Sequence, residues 1–172
     1  MAVDPGGLVL HLERVLPAPP SVVFAANTRP GEMARWWGPT GFTAPSIELD
    51  LRPGGRYRIA MKPPDADVFH LSGEFREIDP PRRLAYTFRW EDPDPDDRET
   101  LVTLSLEDAG GAATRLVVDQ GVFLTEGRLD LHRQGWTETL DRLHGLLSSR
   151  RSPPGRASGQ RDAGEGPSTP GP

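Results

Sequence analysis

Between Ile47 and Val118 the chain repeats one pattern: apolar residues at every second position, in short runs separated by turn residues. The runs are Ile47, Leu49 and Leu51; Tyr57, Ile59 and Met61; Phe69, Leu71, Gly73 and Phe75; Leu84, Tyr86, Phe88 and Trp90; Val102, Leu104 and Leu106; then Leu116 and Val118. A period of two places each set on one face of its strand. Arg56, Arg58, His70, Glu74, Arg83 and Arg89 fall on the opposite, solvated faces. One-sided alternation through so many successive strands requires an antiparallel sheet with one wet face, so something must cover the other. Arg52-Pro53-Gly54-Gly55 and Gly110-Gly111 supply turns between runs, since glycine takes positive φ without steric cost. After residue 128 the period changes once, to helical spacing, with Leu129, Trp136, Leu140, Leu143 and Leu147 on one stripe. That helix is the cover.

Ahead of these runs, Leu8, Leu10 and Leu12 alternate with Val9, His11 and Glu13, giving a first strand that stops at Pro17-Ala18-Pro19-Pro20. Pro19 and Pro20 suit the first turn of a helix, where no N–H is needed. Val22, Val23, Phe24 and Ala26 give this short helix an apolar face. Pro30-Gly31 ends it, and a second helical turn carries Met33 and the adjacent Trp36 and Trp37. The expected order is therefore a strand, two short helices, about six further strands and one long helix, an α+β chain. The folded domain is expected over 8–148, with a flexible stretch at 1–7. From 149 onward Arg, Gly, Pro, Ser and Ala dominate with no apolar period, so residues 149–172 are expected to be a disordered tail that cannot offset its ordering entropy.

A domain of about 140 residues buries roughly two-thirds of its unfolded surface and needs no metal or disulfide to fold. The sequence has no cysteine, which excludes disulfides, thiolate catalysis and Cys-ligated metal. The whole chain carries −5; the four arginines and two acids beyond 148 leave sixteen basic against twenty-three acidic residues, near −7. Nucleic-acid affinity comes chiefly from basic groups that release counterions, so nucleic acid is not an expected partner. No apolar run is long enough to span a membrane, and the N-terminus has neither the basic nor the apolar region of a signal peptide, so a soluble, cytoplasmic protein is expected. Lys62 is the one lysine among twenty basic residues, and with abundant Ala, Gly and Pro this points to a GC-rich, bacterial genome.

Several pieces recur in a fixed order: Glu13-Arg14-Val15 leading to Ala18-Pro19-Pro20, Val23-Phe24 with Thr28-Arg29-Pro30, and Trp36-Trp37-Gly38-Pro39. They continue through Asp50-Leu51-Arg52-Pro53-Gly54-Gly55-Arg56-Tyr57, Gly73-Glu74-Phe75 with Ile78-Asp79-Pro80-Pro81, Arg83-Leu84 with Thr87-Phe88-Arg89-Trp90, and Gly135-Trp136 with Leu140-Asp141-Arg142-Leu143. Over roughly 8–148 this ordered set resembles the SRPBCC or START-like superfamily. Within it, the set resembles homologues of the C-terminal domain of the activator of heat-shock-protein-90 ATPase (AHSA-like). The resemblance implies a helix-grip fold: a curved antiparallel sheet of six or seven strands wrapped around the long C-terminal helix, with a cavity between them. The chain departs from the family at Gln120, where many relatives place a histidine.

If that cavity exists, the inward set lines it, and the candidates are Trp36, Trp37, Tyr57, Ile59, Phe69, Leu71, Gly73, Phe75, Tyr86, Phe88, Trp90, Gln120, His132, Trp136 and Leu140. Apolar walls with a few polar groups suit a small hydrophobic or amphipathic ligand; the plainer alternative is that these side chains fill the space as core. Trp36 and Trp37 either gate the mouth or anchor the short helices over the sheet. The four histidines His11, His70, His132 and His144 show no metal-ligand spacing, and no catalytic motif or phosphate loop is present. Neither a metal nor a cofactor is expected. His132 stands one turn before Trp136 and reads first as a packed or surface residue, second as an acid or base in the cavity. The acidic run from Glu91 to Glu99 lacks the Gly and Glu an EF-hand needs at its sixth and twelfth positions, where Asp97 and Thr103 stand. A solvated loop is expected there, or an acidic patch for a basic partner. Two alternatives to ligand binding follow from the resemblance: a co-chaperone-like domain stimulating a heat-shock-protein-90-type ATPase, and an aromatase- or cyclase-like enzyme using His132, Tyr57 and Tyr86.

Overall fold

The structure is a computed structural model, and it describes residues 7–151. Apart from Gly7 and residues 149–151, the stretch 1–7 expected to be flexible and the tail expected over 149–172 lie outside the described residues. The elements run β1 (Leu8–Leu16), α1 (Pro20–Ala26), α2 (Pro30–Met33), β2 (Thr43–Leu49), β3 (Arg56–Lys62), β4 (Phe69–Asp79), β5 (Arg83–Trp90), β6 (Thr100–Gly110), β7 (Ala113–Phe123) and α3 (Glu126–Arg151). The strands form one seven-stranded antiparallel sheet in the order β1-β7-β6-β5-β4-β3-β2. The first strand thus returns beside the last, while β2 to β7 form a meander. With α3 packed against β1 and β7 and two short helices after β1, this is the helix-grip arrangement.

Alternation decides burial as the sequence implies. Leu10, Tyr57, Ile59, Leu71, Phe75, Leu84, Tyr86, Val102, Leu104, Leu116 and Val118 are buried in one core with Trp136, Leu140, Leu143 and Leu147 of α3. The opposite face is tied by surface pairs such as Arg58 with Glu91 and Arg83 with Glu77, each worth little at such exposure.

Three boundaries differ from the sequence reading. The second short helix ends at Met33, so Trp36 and Trp37 occupy the turn after it, with both backbone N–H groups on the Met33 carbonyl. Leu51 follows β2 rather than ending it and is 42% exposed. At the other end α3 continues through Ser149, Arg150 and Arg151, past the expected boundary at 148. Arg150 pairs with Glu32 of α2 at 2.7 Å, and Arg151 donates to the Gly111 carbonyl at 2.8 Å. Basic side chains in a last helical turn also sit well with the helix dipole.

The centre of the sheet carries a local distortion. Gly73 of β4 lies opposite Tyr57 of β3, and the β4–β5 register shifts between Phe75 and Glu77. Here the Thr87 carbonyl accepts a hydrogen bond from the Tyr57 hydroxyl at 2.5 Å, and Thr87 Oγ1 accepts the Glu74 N–H at 2.8 Å. The Thr87 carbonyl and the Tyr57 ring both crowd Gly73, leaving no room for a side chain there.

Gly145, by contrast, is an exposed residue inside α3 with nothing within 4 Å of where a Cβ would stand. Gly145→Ala is expected to stabilise the fold by about 0.5–1 kcal/mol, the usual helix-interior difference. A urea midpoint below that of the native chain would contradict the open surroundings of this position.

Candidate functional site

A cavity of ≈ 510 Å³ lies between the sheet and α3. Its apolar wall comes from Trp37, Pro39 and Phe42 of the loop after α2, Met61 of β3, Phe69 and Leu71 of β4, Phe88 and Trp90 of β5, and Leu131, His132 and Trp136 of α3. Aromatic rings meet edge to face along it: Phe88 on Trp90 at 5.0 Å, Phe42 on Phe69 at 6.2 Å and Trp37 on Trp136 at 6.1 Å, the geometry that aromatic quadrupoles favour. Gly135 also faces this space; a Cβ on it would meet only Pro39 Cγ, at 4.0 Å.

Of the residues singled out from sequence, Trp37, Phe69, Leu71, Phe88, Trp90, His132 and Trp136 stand together on this wall. The others stand elsewhere. Trp36 is fully buried, and its indole N–H donates to the Ala26 carbonyl at 3.0 Å, so it anchors α1 to the following turn. Leu140 is core, and Gly73 is closed over by Tyr57. Tyr57, Ile59, Phe75 and Tyr86 cluster on the far side of Trp37. Gln120, fully buried, lies behind Trp136: its carbonyl oxygen accepts the Trp136 indole N–H at 2.8 Å, and its amide donates to Thr100 Oγ1 at 2.9 Å. Gln120 therefore fixes the orientation of a wall residue.

His132 packs between the rings of Phe123, Phe88 and Trp90, with centroids 4.9, 5.4 and 5.9 Å away. Burial, helped by the nearby Arg128 charge, pushes its pKa down to about 4. The ring is neutral at physiological pH and serves as an aromatic wall element with ring nitrogens.

The acidic loop is not merely solvated. Its basic partner is Arg128, in the first turns of α3 and only 15% exposed: the guanidinium pairs with Asp94, with Asp96 at 2.9 Å and with Asp97 at 3.3 Å. Asp96 also accepts from the Thr125 hydroxyl at 3.1 Å, and Thr125 Oγ1 accepts the Arg128 N–H as the helix N-cap. Hydrogen bonds from Arg128 and Thr125 hold the Asp96 carboxyl below its ordinary pKa. The loop from Glu91 to Glu99 is thus stapled to α3 along one side of the cavity, where Asp92, Asp94 and Gln134 meet solvent.

Arg142 does the same for the opposite loop. One terminal nitrogen shares its N–H groups among the carbonyls of Trp37, Gly38, Pro39 and Phe42, at 2.9 to 3.2 Å. Sequence reasoning passed over Arg142, Pro39, Phe42 and Arg128 as site-forming residues. Pro39 and Phe42 sit in a loop with no period, and the two arginines act on carbonyls and carboxylates distant in sequence. Met61 shares the alternation of Tyr57 and Ile59, and that signal marked it as inward-facing. Among the described residues no group of His, Asp and Glu is arranged to hold a metal ion, and no helix is long and apolar enough to cross a membrane.

Solved structures with this arrangement come from several bacteria. A protein from Chromobacterium violaceum is 27% identical, with a TM-score of 0.73 over 81% of this chain and 96% of its own. The AHSA1 protein from Silicibacter pomeroyi is 28% identical, with a TM-score of 0.70 over 83% of this chain and 99% of its own. A protein from Arthrobacter aurescens, 22% identical with a TM-score of 0.75 over 94% of this chain and 95% of its own, shares the fold. No curated protein matches the sequence. Residues 17–148, the span that builds both cavity walls, match the family described as Activator of Hsp90 ATPase homolog 1-like protein, and the chain belongs to that family.

Proposed function

We propose that the protein binds a small hydrophobic or amphipathic molecule in the cavity between the sheet and α3. The observation that carries this reading is the cavity itself: ≈ 510 Å³ bounded mainly by aromatic and aliphatic side chains, within the size range of small-molecule sites. Side chains that merely completed a core would pack to crystal-like density and leave no such volume. The rim argues for an amphipathic ligand, because Asp92, Asp94, Gln134 and Glu138 surround the apolar interior together with Arg128. A ligand's apolar body would displace poorly held water from the aromatic wall, and its polar end would remain at the rim.

Gly135 provides the test. Gly135→Leu projects a side chain into the cavity from a Cβ whose one neighbour within 4 Å is Pro39 and improves helix propensity, so the fold is expected to persist. Fluorescence titration with the neutral probe N-phenyl-1-naphthylamine is expected to saturate with one site on the native chain. The variant should bind at least about tenfold more weakly. A signal that fails to saturate, or one the variant leaves unchanged, would remove the cavity as the binding site.

A further inference from the structure

A second, far smaller space lies behind Trp37 and bears on which ligands the cavity takes; the inference rests on the ligand-binding reading above. This inner space is ≈ 10 Å³ and is bounded by Asn27, Met33, Tyr57, Phe75 and Tyr86 together with Trp37. Trp37 is the one residue that lines both this space and the large cavity. A volume of that order holds a single oxygen-sized group.

The polar groups around it are satisfied, with one exception. Tyr57 donates to the Thr87 carbonyl and Asn27 to the Val23 carbonyl. The Tyr86 hydroxyl is fully buried and has no hydrogen-bond partner among the described residues, on a side chain only 5% exposed. A phenylalanine would fill the same place without leaving a polar group unpaired, so the hydroxyl weakens the empty protein. Burial also pushes the Tyr86 phenol well above its ordinary pKa, so it is a hydrogen-bond donor at any working pH. Trp36 and Trp136 are each fixed by a hydrogen bond from the indole N–H, whereas Trp37 stands between them in ring contact at 5.6 and 6.1 Å.

We propose that Tyr86 is the hydrogen-bond donor of a small subsite that the Trp37 indole separates from the large cavity. The ligand class is a flat or elongated apolar molecule ending in a hydrogen-bond acceptor such as a ketone or ester carbonyl. Its body lies against Phe69, Phe88 and Trp136 in the large cavity. Its terminal oxygen passes the displaced Trp37 ring and accepts from Tyr86.

The test uses an isosteric pair, 2-acetylnaphthalene and 2-ethylnaphthalene, which differ by a carbonyl oxygen in place of two hydrogens, with dissociation constants from calorimetry. Tyr86→Phe is expected to weaken the acetyl compound about fivefold to tenfold and to leave the ethyl compound within about twofold. Trp37→Phe, a smaller partition, is expected to tighten the acetyl compound selectively. Free Tyr86→Phe protein should unfold at or above the native midpoint, because no hydrogen bond is lost; a clear fall would show that the hydroxyl is already partnered and overturn the subsite. If both compounds bind and Tyr86→Phe weakens neither, or both equally, the inner subsite is refuted while cavity binding stands. Equal tightening of both by Trp37→Phe would remove the partition. Absence of saturable binding of either compound to the native chain would sink the cavity reading, and the subsite with it.

Discussion

Gly73→Ala is expected to cost about 3 kcal/mol or more of unfolding free energy, a large share of the stability of a domain this size. A Cβ at this position would stand 1.9 Å from the Thr87 carbonyl oxygen and 2.7 Å from Tyr57 Cε1. Neither neighbour has a way out. The carbonyl belongs to a central strand and accepts the Tyr57 hydroxyl, and the Tyr57 ring is buried between Phe75 and Tyr86, with centroids 5.6 and 5.4 Å away. The smallest possible side chain therefore forces a strand to move and breaks a buried hydrogen bond together. Urea unfolding followed by tryptophan fluorescence measures the loss. A shift no larger than that of an ordinary surface substitution would mean that the β4–β5 distortion is softer than its contacts indicate.

The second large effect concerns acidity. His132 is held neutral in the fold with its pKa near 4, against 6.5 when exposed. The unfolded chain therefore takes up a proton between those values while the folded chain does not, and stability falls as pH drops through that window. From pH 7 to pH 5 the loss from this one ring is about 2 kcal/mol. Glu13, Glu32, Glu91 and Asp96 are held below their ordinary values by hydrogen bonds, Glu13 first by His11 and the other three by arginines. Their contribution is complete above the ordinary values, 4.5 for the glutamates and 3.8 for Asp96, and is lost as pH falls from there through the lowered ones, below the interval from pH 7 to pH 5. His11, raised by Asp119 and Glu13, works the other way: its small contribution is complete below 6.5 and is lost as pH rises. The His132→Phe variant separates these effects. Its unfolding free energy should change little between pH 7 and pH 5, and a variant as acid-sensitive as the native chain would reassign the effect to another group.

The sheet was legible because its physics is local: alternate residues face alternate sides, and no partner need be known to see it. Phe69, Phe75, Leu84 and Leu104 reveal their orientation within a few residues of themselves. The cavity is another matter, because empty space depends on how far α3 stands from the sheet. Leu140 and Trp136 share one helical stripe and one core, yet only Trp136 also borders the cavity. Tyr57 and Phe69 share the inward face of adjacent strands, yet Trp37 stands between Tyr57 and the cavity. Periodicity separates inside from outside but not filled from unfilled. The acidic loop misled for a related reason: read alone, three alternating aspartates are solvated charges, and only the fold brings Arg128, some thirty residues later, among them.

The Arg142 contacts carry a mechanical meaning. The loop from Trp37 to Phe42 borrows its position from a single side chain of α3, so loop and helix are coupled along one side of the cavity. When α3 shifts, Pro39 travels with Gly135 rather than away from it. Removing the Arg142 guanidinium would therefore uncouple the loop from the helix and leave Trp37 and Pro39 without the contact that places them against the cavity.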